Sequence, residues 1–221
     1  MKLFMQMYNR SFIKYLVLFW LLTGCKLQQP EANAKLHNAV LTNEISVVKK
    51  WLRKGASVNY QEDTRGWTPL LFAVEASNYE LTKVLLDHSA DPNVLSTKNQ
   101  TSPLQRAAAK GNLDIVKLLI SAGAELDHQD AQLRSTPLMW ACIQGHEEAA
   151  RLLLDSGALI NVRGNRGESA LYLAVSTQQT SVVKLLVSYG AITDRPDIYG
   201  ITPLQKATEL KNQDIITLLI E

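Results

Sequence analysis

The chain has 221 residues, of which 46% are hydrophobic and 20% charged, a composition typical of a folded domain with a sizeable core. Its formal net charge is +2, but three cations lie in the first 24 residues, which contain no acid, and the remainder carries 20 basic and 21 acidic residues. A nucleic-acid-binding surface needs an excess of lysine and arginine to neutralise phosphates. The charge balance therefore argues against nucleic acid as a partner.

The first predicted element is a secretory signal. Three cations precede the apolar run YLVLFWLL at residues 15–22, which is too short to span a bilayer because a membrane helix needs about 20 residues. The sequence Leu-Thr-Gly-Cys at residues 22–25 then resembles the lipobox of bacterial lipoproteins. The resemblance implies removal of a signal peptide over residues 1–24 and lipidation of Cys25 with palmitate-type acyl chains, which attach the protein to a membrane. An ordinary cleaved signal and a buried helix that contains a cysteine are the alternatives.

The segment that begins at Cys25 predicts where the protein resides. Residues 26–33, KLQQPEAN, are mostly polar, so we expect a lipidated cysteine and a tether over residues 25–33. Lysine follows the cysteine in place of aspartate, which favours the outer membrane over the inner one. The expected location is the bacterial cell envelope, with the protein facing the periplasm. Because Cys142 is the one other cysteine, no intramolecular disulfide is expected.

From residue 34 onward the sequence repeats. A hydroxyl residue, Pro and Leu open each unit, and the Pro position recurs with spacings of 34, 34, 33 and 33 at Pro69, Pro103, Pro137, Ala170 and Pro203. A small pair, mostly Gly-Ala, closes each aliphatic stretch with spacings of 34, 34, 34 and 33. The hydroxyl is a suitable N-cap, Pro suits the first helical position, and Gly suits the left-handed residue that follows a helix. The pattern therefore predicts two helices in each unit.

This pattern resembles the ankyrin repeat, which has the signature Thr-Pro-Leu-His-x-Ala and a 33-residue period. The resemblance implies an all-α fold, a solenoid of about six helix-turn-helix units with short β-hairpin fingers between them. The predicted domain covers residues 34–221, with repeats at about 34–65, 66–99, 100–133, 134–166, 167–199 and 200–221.

The first three fingers are predicted to be one residue longer than the family norm. Eight residues separate Asn93 from Ser102, for example, whereas seven separate Asn161 from Ser169. Two of the long fingers also lack the usual terminal glycine, where Gln100 and Arg134 stand. Extra length at a loop tip is where repeat proteins place binding differences.

No catalytic chemistry is predicted. The four histidines show no ligand spacing on one helix face, so we expect no metal site. The sequence also lacks a nucleophile motif, a glycine-rich phosphate loop and paired catalytic carboxylates, so we expect neither an enzyme nor a cofactor. Trp140 and Cys142 stand at helix positions that the repeat usually fills with core residues, and both are expected to pack in the core.

Protein binding is the remaining candidate function. In ankyrin stacks the fingers and the first helices line a concave groove that binds other proteins, and aromatic residues and arginine are frequent interface anchors. The resemblance implies nine protein-binding residues: Tyr60, Arg65, Trp67, Glu75, Lys110, Arg134, Gln144, Arg166 and Tyr199. Additional finger-tip candidates are Asp63, Lys98, Asp130, Arg163 and Asp197. The alternative for Trp67 is packing onto its own repeat, and for the arginines simple solvation.

Two functional hypotheses follow. The layout of signal, lipobox, short tether and small repeat domain is similar to that of ankyrin-type immunity lipoproteins that neutralise periplasmic phospholipase toxins. This similarity implies a monomeric, non-enzymatic protein that captures and inhibits a secreted antibacterial toxin. The alternative is an envelope scaffold or stress-protection factor that binds a resident periplasmic protein.

Overall fold

A computed structural model of the protein describes residues 29–220. These residues form twelve helices joined by turns and loops, and no residue from 29 to 220 belongs to a β-strand. The described residues divide into two compact units, 29–57 and 58–220. The predicted signal peptide, the lipobox and Cys25 lie outside the described residues.

The described residues of the first unit form one helix pair, α1 (29–41) and α2 (Ile45–Arg53). Leu36 and Val48 are fully buried in it. Helix α1 already includes residues 29–33, which were predicted to be part of the tether. Asn33 is buried, and its Oδ1 accepts a hydrogen bond from the amide of Ser57 at 2.8 Å. The predicted tether therefore does not extend to residue 33, because residues 29–33 form the start of helix α1 and Ala32 and Asn33 are buried.

The second unit consists of five helix pairs in succession. The first helices of the pairs are α3 (Pro69–Glu75), α5 (Pro103–Lys110), α7 (Pro137–Gln144), α9 (Ala170–Ser176) and α11 (Pro203–Glu209). The second helices are α4 (Tyr79–Asp87), α6 (Leu113–Ser121), α8 (Glu147–Asp155), α10 (Thr180–Ser188) and α12 (Gln213–Ile220). Each first helix packs on the first helices of the neighbouring pairs, and each second helix packs on the neighbouring second helices. This two-layer stack confirms the predicted all-α solenoid.

The hydroxyl–Pro pairs begin the first helices, as predicted. Thr68 Oγ1 accepts a hydrogen bond from the amide of Leu71 at 3.2 Å, and Pro69 occupies the first helical position. The same cap is formed by Ser102, Thr136, Ser169 and Thr202. A cap of this kind stabilises a helix by about 1 kcal/mol. The recurring motif is therefore primarily a signal for where each helix starts.

The core of the second unit lies between the helix layers. Leu104, Ala107 and Ala108 of α5 are fully buried, as is Cys142 of α7. Burial raises the pKa of the Cys142 thiol well above its ordinary value. The thiol therefore stays protonated, in keeping with its predicted core position.

Each finger is a tight turn whose first amide donates a backbone hydrogen bond to its last carbonyl, and no residue of it forms a strand. We define the fingers by the donor and acceptor of that bond: finger 1 is 62–67, finger 2 is 96–101, finger 3 is 130–135, finger 4 is 164–168 and finger 5 is 197–201. The first three span one residue more than the last two, which is the difference that the sequence predicts.

A left-handed residue ends the turn of every finger. It is glycine in fingers 1, 4 and 5, whereas Gln100 and Arg134 take this conformation in fingers 2 and 3, with φ of 50° and 53°. A residue with a Cβ atom is strained there by roughly 1–2 kcal/mol. In the long fingers the amide of the left-handed residue donates a hydrogen bond to the carbonyl four residues earlier; the amide of Gln100, for example, donates to the carbonyl of Ser96 at 3.0 Å. In the short fingers the same amide donates to the carbonyl three residues earlier.

Neighbouring fingers are joined by single backbone hydrogen bonds, which we call junction bonds. The amide of Thr97 donates to the carbonyl of Arg65 at 3.1 Å, and the amide of Ala131 donates to that of Asn99 at 3.0 Å. The equivalent bonds run from Asn165 to Leu133 and from Ile198 to Arg166, both at 2.9 Å. Each finger thereby holds the next one in a fixed register.

Candidate protein-binding site

Two adjacent pockets lie where the fingers meet the first helices. The first, which we call the basic pocket, has a volume of about 350 Å³ and is lined by Arg65, Trp67, Glu75, Ser96, Lys98, Asn99 and Arg106. The second, which we call the tryptophan pocket, has a volume of about 170 Å³ and is lined by Asn99, Thr101, Gln105, Arg106, Ala109, Asp130, Gln132 and Trp140. Asn99 and Arg106 line both, so the pockets form one continuous surface over three repeats.

The wall of the basic pocket is the indole of Trp67. Its side chain is largely buried and contacts Phe72 edge-on, with 5.1 Å between ring centroids. The guanidinium carbons of Arg65 and Arg106 lie 5.0 and 5.4 Å from the centroid of the Trp67 ring. Stacking of this kind contributes about 0.5–1 kcal/mol at exposed positions. The indole therefore holds Arg65 of finger 1 and Arg106 of α5 beside one pocket.

Glu75 of α3 forms ion pairs with two cations of α5. Its Oε1 lies 3.1 Å from Lys110 Nζ, and its Oε2 lies 3.8 Å from Arg106 Nη1. All three side chains are about one-third exposed, so the ion pairs add little stability. Their main effect is to keep the cationic groups of α5 close to α3.

The wall of the tryptophan pocket is Trp140. Its Nε1 donates a hydrogen bond to Asp130 Oδ2 at 2.9 Å, and the side chain is half-buried. The prediction that Trp140 is a core residue is therefore wrong, because it stands at the edge of the helix layer that faces the fingers. Cys142, two positions later on α7, is the residue that points into the core.

The extra residues of fingers 2 and 3 line these pockets. In finger 2, Lys98 lies between Thr97 and Asn99, which both form junction bonds, and in finger 3 Gln132 lies between Ala131 and Leu133. In finger 4 the two residues that form junction bonds, Asn165 and Arg166, are adjacent in sequence. Lys98 lines the basic pocket and Gln132 lines the tryptophan pocket. The insertions therefore supply side chains to the candidate site.

The structure brings together four of the nine predicted binding residues. Arg65, Trp67 and Glu75 line the basic pocket, and Lys110 joins them through its ion pair with Glu75. Trp67 is only 8% exposed, so it acts chiefly as the support of the two arginines. The remaining five line neither pocket: Tyr60, Arg134, Gln144, Arg166 and Tyr199.

These five residues differ in exposure. Tyr60 is half-buried, whereas Gln144 and Arg166 are exposed. Arg134 is exposed and donates from Nη2 to Gln129 Oε1 at 2.9 Å. Tyr199 is 69% exposed at the tip of finger 5. Their part in binding stays a prediction.

Three other finger candidates have structural roles instead. Asp130 is buried, and its Oδ1 accepts hydrogen bonds from the amides of Gln132 and Leu133. Asp197 is also buried; burial raises its pKa, but hydrogen bonds from two finger amides and from Tyr172 outweigh this and lower it. Arg163 donates to the carbonyls of Gly167 and Pro196 at 2.8 and 2.7 Å. These side chains hold the finger backbone and are not available as partner contacts in this conformation.

Sequence reasoning missed Arg106, the residue shared by both pockets. It stands immediately before Ala107 on the first helix α5. The equivalent positions of the other first helices are all half-buried and are occupied by Phe72, Trp140, Leu173 and Lys206. The residue type varies widely among these positions, whereas the neighbouring Leu and Ala positions vary little. A comparison of the repeats with one another could therefore have identified a groove-facing position.

The described part of the chain contains no helix that is both long and apolar enough to cross a membrane. Within residues 29–220 there is likewise no cluster of three or more His, Cys, Asp or Glu side chains arranged to hold a metal ion. His128, the one histidine that lies in an unusual position, has its Nε2 2.8 Å from the carbonyl oxygen of Gln100.

Known proteins are similar to short stretches of the chain. It is 45% identical over 69 residues to the human 2-5A-dependent ribonuclease, and 42% identical over 67 residues to the ankyrin repeat, SAM and basic leucine zipper domain-containing protein 1 of Carollia perspicillata. It is 32% identical over 74 residues to mouse ankyrin repeat domain-containing protein 40. These matches cover 31%, 30% and 34% of this chain but only 9%, 14% and 20% of the three relatives.

A family comparison covers far more of the sequence. The model for ankyrin repeats (3 copies) matches residues 36–130, 95–164 and 138–221, which together extend over most of the chain. The helix pairs, the capped first helices and the fingers described above agree with this match. The chain belongs to the ankyrin-repeat family, whose members typically act as protein-binding modules.

Proposed function

We propose that this protein is a non-enzymatic binding module, anchored by lipid at Cys25 in the bacterial cell envelope and facing the periplasm, that captures and inhibits a secreted antibacterial toxin. A phospholipase effector is the most specific candidate. The capture is stoichiometric: one monomer covers a functional surface of one toxin molecule. Neither a cofactor nor a metal takes part.

The insertions in fingers 2 and 3 carry the binding part of this proposal. Lys98 and Gln132 are additions to the repeat pattern, they line the two pockets, and they lie between backbone positions that the junction bonds fix. A residue that adds nothing to the helix stack and lines a pocket is well placed to contact a partner. Arg106 and the supporting Trp67 give the same surface the residue types that often dominate interfaces.

The sequence of residues 1–33 supports the envelope location. The apolar run, the Leu-Thr-Gly-Cys motif and the polar residues after it have the order of a lipoprotein signal. The test is the variant Cys25→Ser with a C-terminal tag, fractionated into membrane and soluble pools. We expect the wild-type protein in the membrane pool, released by detergent but not by salt, and the variant in the soluble pool. Retention of the variant on membranes would contradict lipid anchoring.

Toxin capture is tested by rescue. Candidate phospholipase toxins are expressed in the periplasm, and cells that express the cognate toxin should survive when they also produce the protein. The variant Lys98→Ala with Gln132→Ala should lose protection. A matched control is Lys83→Ala with Gln213→Ala, which removes the same two residue types from exposed positions on second helices. The control should protect as the wild type does.

The scaffold hypothesis makes a different prediction for the same variants. In that case the tagged protein co-purifies with a resident envelope protein, the Lys98–Gln132 variant loses that protein, and no toxin is neutralised. Equal protection by the wild type and the Lys98–Gln132 variant would show that the two pockets are not the capture surface.

A further inference from the structure

The basic pocket carries an excess of positive charge that the described residues do not neutralise. Arg65, Lys98 and Arg106 face one carboxylate, Glu75. Within residues 29–220, neither Arg65 nor Lys98 forms an ion pair, and Arg106 Nε has no hydrogen-bond acceptor. Because the chain after the signal is nearly neutral overall, with 20 basic and 21 acidic residues, this excess is a local property of the pocket.

Two of the three cations are also positioned before any partner binds, and the backbone that carries the third is fixed. Trp67 stacks with Arg65 and Arg106, and Lys98 is held between two junction-bonded residues of finger 2. Guanidinium groups bind carboxylates through two parallel hydrogen bonds, which gives both strength and orientation. Ordering these side chains in advance reduces the conformational entropy lost on binding.

The neighbouring tryptophan pocket has a different chemistry. Trp140 and Ala109 provide apolar surface, and the volume of about 170 Å³ is sufficient for one side chain. Since Asn99 and Arg106 line both pockets, an occupant of one pocket lies next to an occupant of the other.

We infer that the two pockets together bind a protein segment that presents a carboxylate side chain beside an apolar one. The carboxylate enters the basic pocket between Arg65, Lys98 and Arg106, and the apolar side chain packs against Trp140. Glu75 favours a singly charged carboxylate over a phosphate, because it would repel the second negative charge. This inference rests on the proposed protein-binding function and specifies the chemistry of the partner.

The experiment is a selection of displayed random 12-residue peptides on the full-length protein in detergent micelles. We expect the selected peptides to contain Asp and Glu at least twice as often as the starting library, next to Leu, Ile, Phe or Met. A synthetic peptide from this set should bind at least tenfold more weakly to the variant Arg65→Ala with Lys98→Ala. The matched control, Lys83→Ala with Lys117→Ala, removes two exposed cations from α4 and α6 and should bind as the wild type does.

Each other outcome overturns the inference in a recognisable way. Peptides selected without enrichment of acidic residues would contradict the acidic partner and leave the protein-binding function standing. Failure to select any peptide would contradict the inference, and the rescue experiment would still decide the protein-binding function. A third outcome is that no acidic peptides are selected, and that the Cys25→Ser protein binds phosphatidylglycerol vesicles while the same protein with Arg65→Ala and Lys98→Ala does not. This outcome would assign the pocket to a lipid phosphate instead.

Discussion

Replacing Glu62 with glutamine should destabilise the protein at neutral pH and have little effect in acid. Glu62 Oε1 accepts hydrogen bonds from the amides of Arg65 and Trp67 at 2.6 and 3.3 Å, and Oε2 accepts one from Thr64 at 2.7 Å. Burial alone would raise the pKa of this carboxyl group, but these hydrogen bonds outweigh it and lower the pKa from 4.5 to about 2. The carboxylate therefore fixes the finger that carries two residues of the basic pocket.

The magnitude follows from the pKa difference. A shift of one pKa unit corresponds to about 1.4 kcal/mol, so the lowered pKa sets an upper limit of roughly 3 kcal/mol. Because Glu62 is partly exposed to water, we expect about 1–2 kcal/mol. The folded-state pKa lies below the unfolded-state value, so this stabilisation is complete above pH 4.5 and is lost as the pH falls through 2.

The assay is urea unfolding of the full-length protein, followed by circular dichroism at several pH values. At pH 7 the wild type should have a free energy of unfolding about 1–2 kcal/mol higher than that of Glu62→Gln. This difference should fall to less than half of its neutral value when the pH is 3, and to near zero when the pH is 2. The control Glu125→Gln changes an exposed carboxylate and should show no such dependence. A difference that is the same at pH 7 and pH 3, or absent at pH 7, would refute the assignment of the finger hydrogen bonds to the ionised carboxylate.

Three more substitutions test other parts of the structure. Gln100→Gly should raise the free energy of unfolding by about 0.5–1 kcal/mol in urea titrations. Glycine relieves the strain of the left-handed conformation, but the more flexible unfolded chain offsets part of this gain. A variant less stable than the wild type would contradict this. Tyr172→Phe should cost about 1–2 kcal/mol, because Tyr172 Oη donates to the buried Asp197 at 2.9 Å. In the wild type, burial and that hydrogen bond raise the pKa of Tyr172 to about 12, so absorbance titration at 295 nm should show a late-titrating tyrosine that Tyr172→Phe removes. In the Cys25→Ser protein, Cys142 should react with a thiol reagent in urea but not under native conditions, because it is fully buried; rapid native labelling would disprove its core position.

The fold was predictable because the same local signals recur in every repeat. A hydroxyl N-cap, Pro at the first helical position and Gly after the second helix act within one short stretch of chain, so the sequence alone indicates where helices begin and end. The finger lengths were predictable for the same reason, because they follow directly from the spacing of the markers.

The candidate site was predictable only in part. Trp67 and Arg65 are neighbours in sequence, but the approach of Arg106 from the next repeat depends on how the helices stack. Asp130 looked like an exposed tip residue, and its burial results from hydrogen bonds to finger amides and to Trp140. Packing between repeats decides the position of Arg106, whereas Asp130 is held by two amides of its own finger and by Trp140.

The junction bonds separate the evolution of the fingers from that of the helices. Both residues that form them sit at constant distances from the ends of each finger, so one residue can be gained or lost between them without shifting the neighbouring repeats. Lys98 and Gln132 occupy these permissive sites. Descendants of this protein could therefore change their partner by single-residue insertions, deletions or substitutions there, and a designer could graft new recognition residues at the same two places without repacking the core.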